Sequence, residues 1–271
     1  GVARRVGDGW EILGLATRDD TETVRVKALA HDGASLYAAG NFTRLGGVAA
    51  SGVARWDGTA WQPLGGGITV TTADFRNGIY EVRDLAFMGT TLYAGGMFRE
   101  SGGVGTFNLS RWNGTEWSKV TGPQFNESLD GVGGQRGQND FLNEWVESLA
   151  VVGETLYVAG SFQFPGNNVG AWRDNHFKDS LGGGVDMSNF NRGSASFVRA
   201  AGDKLYFQGD FGRAGRFPNV QVEGFAAWIG QEWTRGPTRL PGLGTSSFRN
   251  GDFAIEGDRI AVGGGFDFVY N

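Results

Sequence analysis

The chain has 271 residues, 40% of them hydrophobic and 20% charged, which is enough apolar surface for a sizeable folded core and argues against disorder. Its formal net charge of −5, without any run of lysine and arginine, excludes nucleic acids and anionic membrane surfaces as partners, because neutralising phosphates requires clustered cations. The absence of cysteine excludes thiol catalysis, thiolate metal sites and disulfides. No apolar stretch reaches the ~20 residues of a membrane helix, and we expect that any secretion signal was removed or never existed.

A seven-residue motif, Leu-Tyr-Ala-Ala-Gly-Asn-Phe at residues 36–42, is the first sign of an internal repeat. Related motifs occupy residues 92–98, 156–162, 205–211 and 260–266. The copies lie about 50 to 65 residues apart, which is a spacing typical of propeller blades with long loops. A short apolar segment precedes each copy, at residues 26–33, 82–89, 146–153, 197–202 and 253–257. Each repeat therefore begins with two predicted strands, named a and b.

Pairs of aromatic residues five positions apart follow the first four copies. They are Trp56/Trp61, Trp112/Trp117, Trp172/Phe177 and Trp228/Trp233. The turn dipeptides Asp57-Gly58 and Asn113-Gly114 lie inside the first two pairs and predict hairpins with type I′ turns, which need positive φ at both central residues. These hairpins are the predicted strands c and d.

The two ends of the chain complement each other within this repeat. The fifth copy ends after strand b, whereas residues 1–5 and Trp10 match strands c and d at residues 52–56 and Trp61. We therefore expect residues 1–271 to form a single domain, an all-β closed propeller of about five four-stranded blades with one blade shared between the termini. Closure would remove two exposed strand edges. The alternative is that the chain is a fragment of a longer array.

The repeat resembles a kelch-type repeat, and more specifically the LYxGGxF…GG…ARWDGxxW repeats of bacterial secreted or surface proteins. The resemblance covers nearly the whole chain and implies a β-propeller, related to the central domain of galactose oxidase, in an extracytoplasmic location. Kelch-like propellers usually have six or seven blades, so five is a departure. Galactose-oxidase chemistry is excluded, since it needs a cysteine-modified tyrosine.

The connections from strand d to the next strand a carry the predicted ligand-binding residues. A Phe-Arg-Asn-Gly element or its variant recurs there, and its members in the tentative site are Phe75, Arg76, Asn77, Arg136, Asn139, Asn191, Arg192, Arg249 and Asn250. Arginine forks and asparagine amides suit sugar hydroxyls and peptide carboxylates. We expect Arg76, Arg192 and Arg249 to converge and attract anionic ligands such as uronic acids, sialic acids or acidic peptides. The alternative is plain turn chemistry, with each Phe filling the core.

Catalysis has less support in the sequence than binding. Asp84, Glu147 and Asp252 on or near the predicted inner strands could serve a five-bladed glycosidase, but their local contexts match neither one another nor a hydrolase motif. His31 and His176 occupy non-equivalent repeat positions, so we expect strand-end residues and no metal site or cofactor. The recurring tryptophans are interpreted as packing between blades, with a role as sugar platforms as the alternative.

We therefore predict a non-enzymatic, extracytoplasmic recognition or scaffolding module at the cell surface. Its partner would be a protein or a carbohydrate bound through the loop face, without nucleic acid and without direct membrane insertion. The alternative functions are a structural subunit of a larger surface assembly and a glycosidase-like enzyme.

Overall fold

The computed structural model describes residues 1–20, 23–70, 80–120, 145–162, 167–179, 181–187, 193–216, 218–235, 252–256 and 259–263. All regular secondary structure in these ranges is β-strand. Within them there is also no helix with the length and apolar character that crossing a membrane requires. The chain divides into two compact units, Gly1–Gly131 and Val132–Asn271, and each is described by itself.

The first unit contains one hairpin and two four-stranded antiparallel sheets, each with its strands in chain order. The hairpin is β1 (Val2–Val6) and β2 (Gly9–Gly14). The first sheet is β4 (Val26–His31), β5 (Leu36–Gly40), β8 (Val53–Trp56) and β9 (Trp61–Pro63). The second is β10 (Glu81–Met88), β11 (Thr91–Met97), β14 (Leu109–Trp112) and β15 (Trp117–Lys119). Two-residue strands accompany them: β3 (Ala16–Thr17), β6 (Arg44–Leu45), β7 (Val48–Ala49), β12 (Glu100–Ser101) and β13 (Val104–Gly105).

The second unit repeats the pattern and ends with a hairpin. The third four-stranded sheet of the chain is β16 (Trp145–Val152), β17 (Thr155–Ser161), β18 (Val169–Arg173) and β19 (His176–Asp179). The fourth is β21 (Ser194–Ala201), β22 (Lys204–Asp210), β25 (Phe225–Ile229) and β26 (Glu232–Thr234). The hairpin is β27 (Asp252–Glu256) and β28 (Arg259–Gly263). A small three-stranded sheet holds β20 (Val185–Asp186), β23 (Arg213–Ala214) and β24 (Val220–Gln221).

The predicted four-stranded repeat is confirmed by this strand order. In every four-stranded sheet the order is a-b-c-d, and the predicted aromatic pairs are cross-strand partners of strands c and d, as in Trp56 opposite Trp61 and Trp112 opposite Trp117. The two hairpins correspond to an isolated c-d pair and an isolated a-b pair. Closure into a ring, the number of blades and the single-domain organisation stay predictions.

The c-d turns differ from the predicted type. At Asp57-Gly58 and Asn113-Gly114 only the glycine has positive φ, because four residues separate the paired tryptophans and the Asp57 or Asn113 side chain caps the loop. The two-residue turns with positive φ at both positions lie instead at Asp174-Asn175 and Gly230-Gln231. The hairpins were predicted correctly and their turn chemistry was wrong.

A tryptophan slot joins successive sheets. In three of the four described four-stranded sheets a strand-d tryptophan fills it, and the third sheet has Phe177 at this position. Trp61 Nε1 donates to the carbonyl of Leu13, 3.0 Å away, and Trp117 Nε1 donates to the carbonyl of Leu64 at 2.9 Å. Trp233 makes the same bond to Leu181 in the second unit. Leu13 lies within strand d of the preceding hairpin, and Leu64 and Leu181 follow strand d of their preceding sheets. The packing interpretation of these tryptophans is confirmed, since Trp61, Trp117 and Trp233 are 2%, 4% and 8% exposed.

Glycine makes the slot possible. Gly46, in the connection between strands b and c, has φ +59°, and a Cβ there would lie 2.7 Å from Cδ1 of Trp61. Gly102 and Gly215 occupy the same place beside Trp117 and Trp233, also with positive φ. A side chain at these positions would both strain the backbone and collide with the indole ring.

Strand a of one sheet packs against strands a and b of the sheet before it. In the first unit Leu85 on β10 shares a core cluster with Ala28 on β4 and Tyr37 on β5. In the second unit Val198 on β21 shares a cluster with Ala159 on β17. The apolar alternation along each strand a thus builds the core between consecutive sheets, and it positions the polar ends of these strands beside one another.

Candidate functional site

All nine residues of the tentative ligand site lie outside the described residues: Phe75, Arg76, Asn77, Arg136, Asn139, Asn191, Arg192, Arg249 and Asn250. In the chain, these segments run into the starts of β10, β16, β21 and β27. The first residues of strand a are therefore the part of the candidate site that the structure describes.

A β-bulge recurs at the start of strand a. In β4 Val26 pairs with Gly40 and Ala28 pairs with Ala39, which leaves Lys27 without an opposite residue. The equivalent residues in the next three sheets are Arg83, Glu147 and Ser196. Bulges of this kind redirect a side chain and are frequent beside binding and active sites.

The bulge explains the glycine that closes strand b in the repeated motif. A Cβ on Gly40 would lie 2.0 Å from the carbonyl oxygen of Arg25, and one on Gly96 would lie 2.2 Å from that of Glu81. Gly160 and Gly209 are equally crowded by the partner backbone. A glycine at a fixed place in a strand is a signal of close backbone approach, so the motif contained the evidence for the bulge.

In the first unit the bulged ends hold a charged cluster around Glu81. The Glu81 side chain is 5% exposed, and its Oε1 lies 3.1 Å from Arg83 Nε and 3.8 Å from Lys27 Nζ. Its Oε2 is buried and accepts no hydrogen bond. Close by, the Arg99 guanidinium lies 6.0 Å from the centre of the Tyr80 ring, within range of a cation–π contact. Two cations and one carboxylate thus meet where strands β4 and β10 begin.

The second unit places a different set of groups at the corresponding strands. Arg199 on β21 donates from Nη1 to Ser148 Oγ on β16 at 3.0 Å. The same guanidinium lies 5.2 Å from the centre of the Phe197 ring. Ser148 and Phe197 directly follow the bulge residues Glu147 and Ser196. The backbone frame is constant between sheets, and the side chains it presents are not.

Two of the three carboxylates considered for catalysis occupy the same register position, although their local sequences differ. Asp84 pairs with Gly95 and Asp252 pairs with Gly263, so these two occupy the same repeat position, whereas Glu147 is a bulge residue. The strand pairing thus relates Asp84 to Asp252, although their local sequences differ as expected. Asp84 Oδ1 accepts a hydrogen bond from the N–H of Leu85 at 2.9 Å. Within the described part of the chain no three His, Asp or Glu side chains are grouped to hold a metal ion.

Both histidines lie at strand ends, as predicted. His31 is the last residue of β4, and His176 is the first residue of β19, where its Nδ1 lies 2.9 Å from the carbonyl oxygen of Asp174. His31 is exposed and His176 is partly buried, and they belong to different sheets. They form no shared site.

Ionisable groups with shifted pKa values lie at the turns between strands a and b or c and d, at the opposite end from the bulges. The N–H groups of Ser35 and Ala34 and the Tyr37 hydroxyl lower the pKa of Asp32, the Ser35 bond most. Burial, and then the bond to Asp32, raise the pKa of Tyr37 to about 12. The N–H groups of Ala60 and Thr59 lower the pKa of Asp57. The hydrogen bonds that cause these shifts hold the turns at Asp32 and Asp57 in place.

Comparison with known proteins finds similar solved structures and no family. No protein-family model and no curated protein matches it. Among solved structures it is similar to YjhT (14% identity, 94% of this chain and 75% of that one, TM-score 0.45). It is also similar to YCF48 bound to a D1 peptide (10%, 84% and 57%, 0.40) and to the computationally designed Ika4 protein (12%, 72% and 89%, 0.34). The chain thus spans little more than half of the YCF48 chain.

YjhT and YCF48 are β-propeller-type proteins, and this chain is all-β with several four-stranded antiparallel sheets. The strand pairing of the chain itself shows this architecture.

Proposed function

We propose that the protein is a non-enzymatic recognition module that binds a protein or carbohydrate partner through the bulged ends of its first strands and the connections leading into them. The observation that supports this function is the recurring bulge. Its position is the same in four sheets, while its residue changes from Lys27 to Arg83, Glu147 and Ser196.

A constant frame with variable side chains is what recognition needs. The bulge residue lies outside the cross-strand register of strands a and b, so its substitution leaves the ladder hydrogen bonds of the flanking register pairs in place. Rigid strands below and loops above are the usual arrangement of binding sites.

The proposal includes the finer fold assignment: a kelch-like β-propeller of about five blades, closed by the chain termini, in an extracytoplasmic protein of the cell surface. The repeat and its sheets support it, and so does the presence of one unmatched c-d pair and one unmatched a-b pair. Anionic ligands are the favoured class, because Lys27, Arg83 and the predicted Arg76, Arg192 and Arg249 all belong to the same ends of strands or the connections into them.

A structural subunit of a larger assembly is the second candidate function, and one observation favours it. Trp10, Ile12, Leu15 and Val6 are 73%, 68%, 64% and 55% exposed, and all belong to the first hairpin or its end. Apolar residues exposed together in this way mark an interaction surface.

The binding proposal is tested on the full chain with an array of uronic-acid glycans, sialylated glycans and acidic peptides, read at low and raised salt. Wild-type binding is expected to weaken with salt. The Arg76→Ala/Arg192→Ala/Arg249→Ala triple variant should weaken it further, with stability changed by about 1 kcal/mol or less if the arginines are solvated. The Lys27→Ala/Arg83→Ala double variant should also weaken it and should be destabilised as well, because it removes both cations beside the buried Glu81 carboxylate. Its binding is therefore read at a temperature at which circular dichroism shows it folded.

The matched control is Arg173→Ala/Lys204→Ala, which removes two cations at the opposite strand ends. Equal loss in the control would show a nonspecific charge effect. If all variants bind the array as well as the wild type does, and a pull-down from the native source recovers a partner, the structural-subunit function would replace the loop-face proposal.

A further inference from the structure

Glu81 is a buried acid that the repeat itself does not require. At this position the backbone carbonyl crowds the glycine that closes strand b, and the other three four-stranded sheets have Arg25, Trp145 and Ser194 there. The shared geometry involves only that carbonyl, so the frame does not dictate which side chain stands at this place. The Glu81 side chain is nevertheless only 5% exposed, and burying a carboxylate is costly unless its hydrogen bonds are made.

One of the two carboxylate oxygens of Glu81 carries both described ion pairs. Oε1 lies 3.1 Å from Arg83 Nε and 3.8 Å from Lys27 Nζ. Oε2 is buried, and no donor in the described part of the chain forms a hydrogen bond to it. A buried charged acceptor without a donor is destabilising, and an unsatisfied group of this kind calls for an explanation. A ligand that brings a hydrogen-bond donor would satisfy Oε2.

The charges of this cluster favour a ligand with one negative group. Two cations and one carboxylate leave a single positive charge among the three side chains. The Lys27 ammonium is the cation that can turn to a ligand, since its distance to Oε1 exceeds the about 2.7–2.9 Å of a charge-assisted hydrogen bond and its side chain is 38% exposed. An exposed ion pair of this kind contributes little and is easily exchanged. Lys27 can therefore bind an anion while Arg83 holds Glu81 in place.

These two requirements define the chemical class of the ligand. The anion bound by Lys27 and the donor to Oε2 must lie close together, because Oε1 and Oε2 belong to one carboxyl group. A hexuronic acid meets both conditions, since its C4 hydroxyl is on the carbon next to the one that bears the carboxylate. In sialic acid the neighbouring ring carbon is a methylene group, and an acidic peptide has no hydroxyl fixed beside its carboxylate.

We propose that Lys27 and Glu81 form a binding site for a uronic acid with a free hydroxyl beside its carboxylate. The Lys27 ammonium binds the ligand carboxylate, and Glu81 Oε2 accepts the hydrogen bond of the hydroxyl. The site depends on the proposed function, which favours anionic ligands as a class, and it selects one member of that class. It belongs to the first unit alone, because the bulge residues of the second unit are Glu147 and Ser196.

The test compares two ligands that differ only at that hydroxyl. Glycans ending in glucuronic acid and in 4-O-methylglucuronic acid are displayed at equal density, beside a sialylated glycan and an acidic peptide, and the full chain is titrated over them at low salt. Half-saturation of glucuronic acid should need about tenfold less protein than that of its methyl ether, because the ether cannot donate to a charged acceptor.

The outcomes separate this site from the recognition function. Equal binding of the two glucuronic acids, or tighter binding of the sialylated glycan or the acidic peptide, would overturn the site and leave the recognition function standing. Binding of none of the anionic probes would overturn both.

Two variants separate the roles of the two side chains. Lys27→Ala should weaken the binding of both glucuronic acids and keep the preference between them, because Oε2 still distinguishes the hydroxyl. Glu81→Met removes the acceptor and should abolish the preference, whereas Glu116→Met, at an exposed acid beside a c-d turn, should keep it. A preference that survives in folded Glu81→Met would overturn the proposal. If Glu81→Met does not fold, the comparison of the two ligands on the wild-type protein decides the outcome.

Discussion

Replacing Trp117 by phenylalanine tests the slot that joins the two complete sheets of the first unit. The change removes the donor to the carbonyl of Leu64, which is 2.9 Å from Nε1. That carbonyl also accepts a bond from Gly67 N–H, so it keeps one partner, and the lost bond costs about 1 kcal/mol rather than the full penalty of an unpaired group. Loss of the five-membered ring from a side chain only 4% exposed adds about 1–2 kcal/mol of cavity and contact energy.

The expected decrease in the free energy of unfolding is therefore about 2–3 kcal/mol, measured by urea denaturation followed by circular dichroism. Trp112→Phe is the matched control, because Trp112 is the cross-strand partner of Trp117, is only partly buried, and loses the same ring. It should cost about 1 kcal/mol or less. Equal shifts of the urea midpoint in the two variants would refute the slot as the source of stability and leave only general aromatic packing.

Three further predictions concern the charged groups. Glu81→Gln should lower the free energy of unfolding by about 2 kcal/mol, because it removes the buried carboxylate that pairs with Arg83. The ion pair of Glu81 with the more exposed Lys27 contributes little to this loss. Glu100→Gln changes an exposed position and should have no effect in the same urea titration. Because the pKa of Tyr37 is raised to about 12, its contribution to stability is fully present below the ordinary tyrosine pKa and is lost as the pH rises through about 12. Burial raises the pKa of Tyr93 as well, so an ultraviolet titration should show a late phase, and Tyr37→Phe should reduce the amplitude of that phase by one tyrosine. Because the pKa of Asp57 is lowered, its contribution to stability is present above the ordinary aspartate pKa and is lost only as the pH falls through the lowered value. Asp57→Asn copies the capping geometry of Asn113, so it should leave the thermal midpoint at pH 7 unchanged and reduce the fall of the midpoint in acid. A lower midpoint at pH 7 would contradict this.

The strands could be predicted because each carries a local signal that the repeat multiplies. Leu-Tyr followed by small residues marks strand b, and Trp56 with Trp61 marks the hairpin after it. The bulge at Lys27 was missed although Gly40 pointed to it, because a glycine in a strand has several possible causes until its backbone partner is known. Turn types at Asp57 and Asn113 were wrong because side-chain capping replaced positive φ at those residues.

The cluster around Glu81 could not have been predicted. Lys27 and Glu81 lie on different sheets, and only the packing of β4 beside β10 brings their side chains together. Nothing in the residues around Glu81 distinguishes a buried carboxylate from an exposed one. The nine residues of the tentative ligand site stay a prediction, because they lie outside the described residues.

The tryptophan slot also gives the repeat a direction. Trp61, Trp117 and Trp233 each donate the indole N–H to a backbone carbonyl of the sheet or hairpin before their own, and the sheet of Trp61 also supplies the Leu64 carbonyl to the sheet after it. A repeat of this kind therefore brings one donor and one acceptor. Such an array can gain or lose whole repeats by gene duplication or deletion and still pair each indole N–H with a carbonyl. A break inside a repeat separates the indole donor from the carbonyl acceptor of that repeat. Phe177 stands where the other three four-stranded sheets have tryptophan, and its side chain cannot donate a hydrogen bond. In that repeat the donor to the preceding sheet is therefore missing.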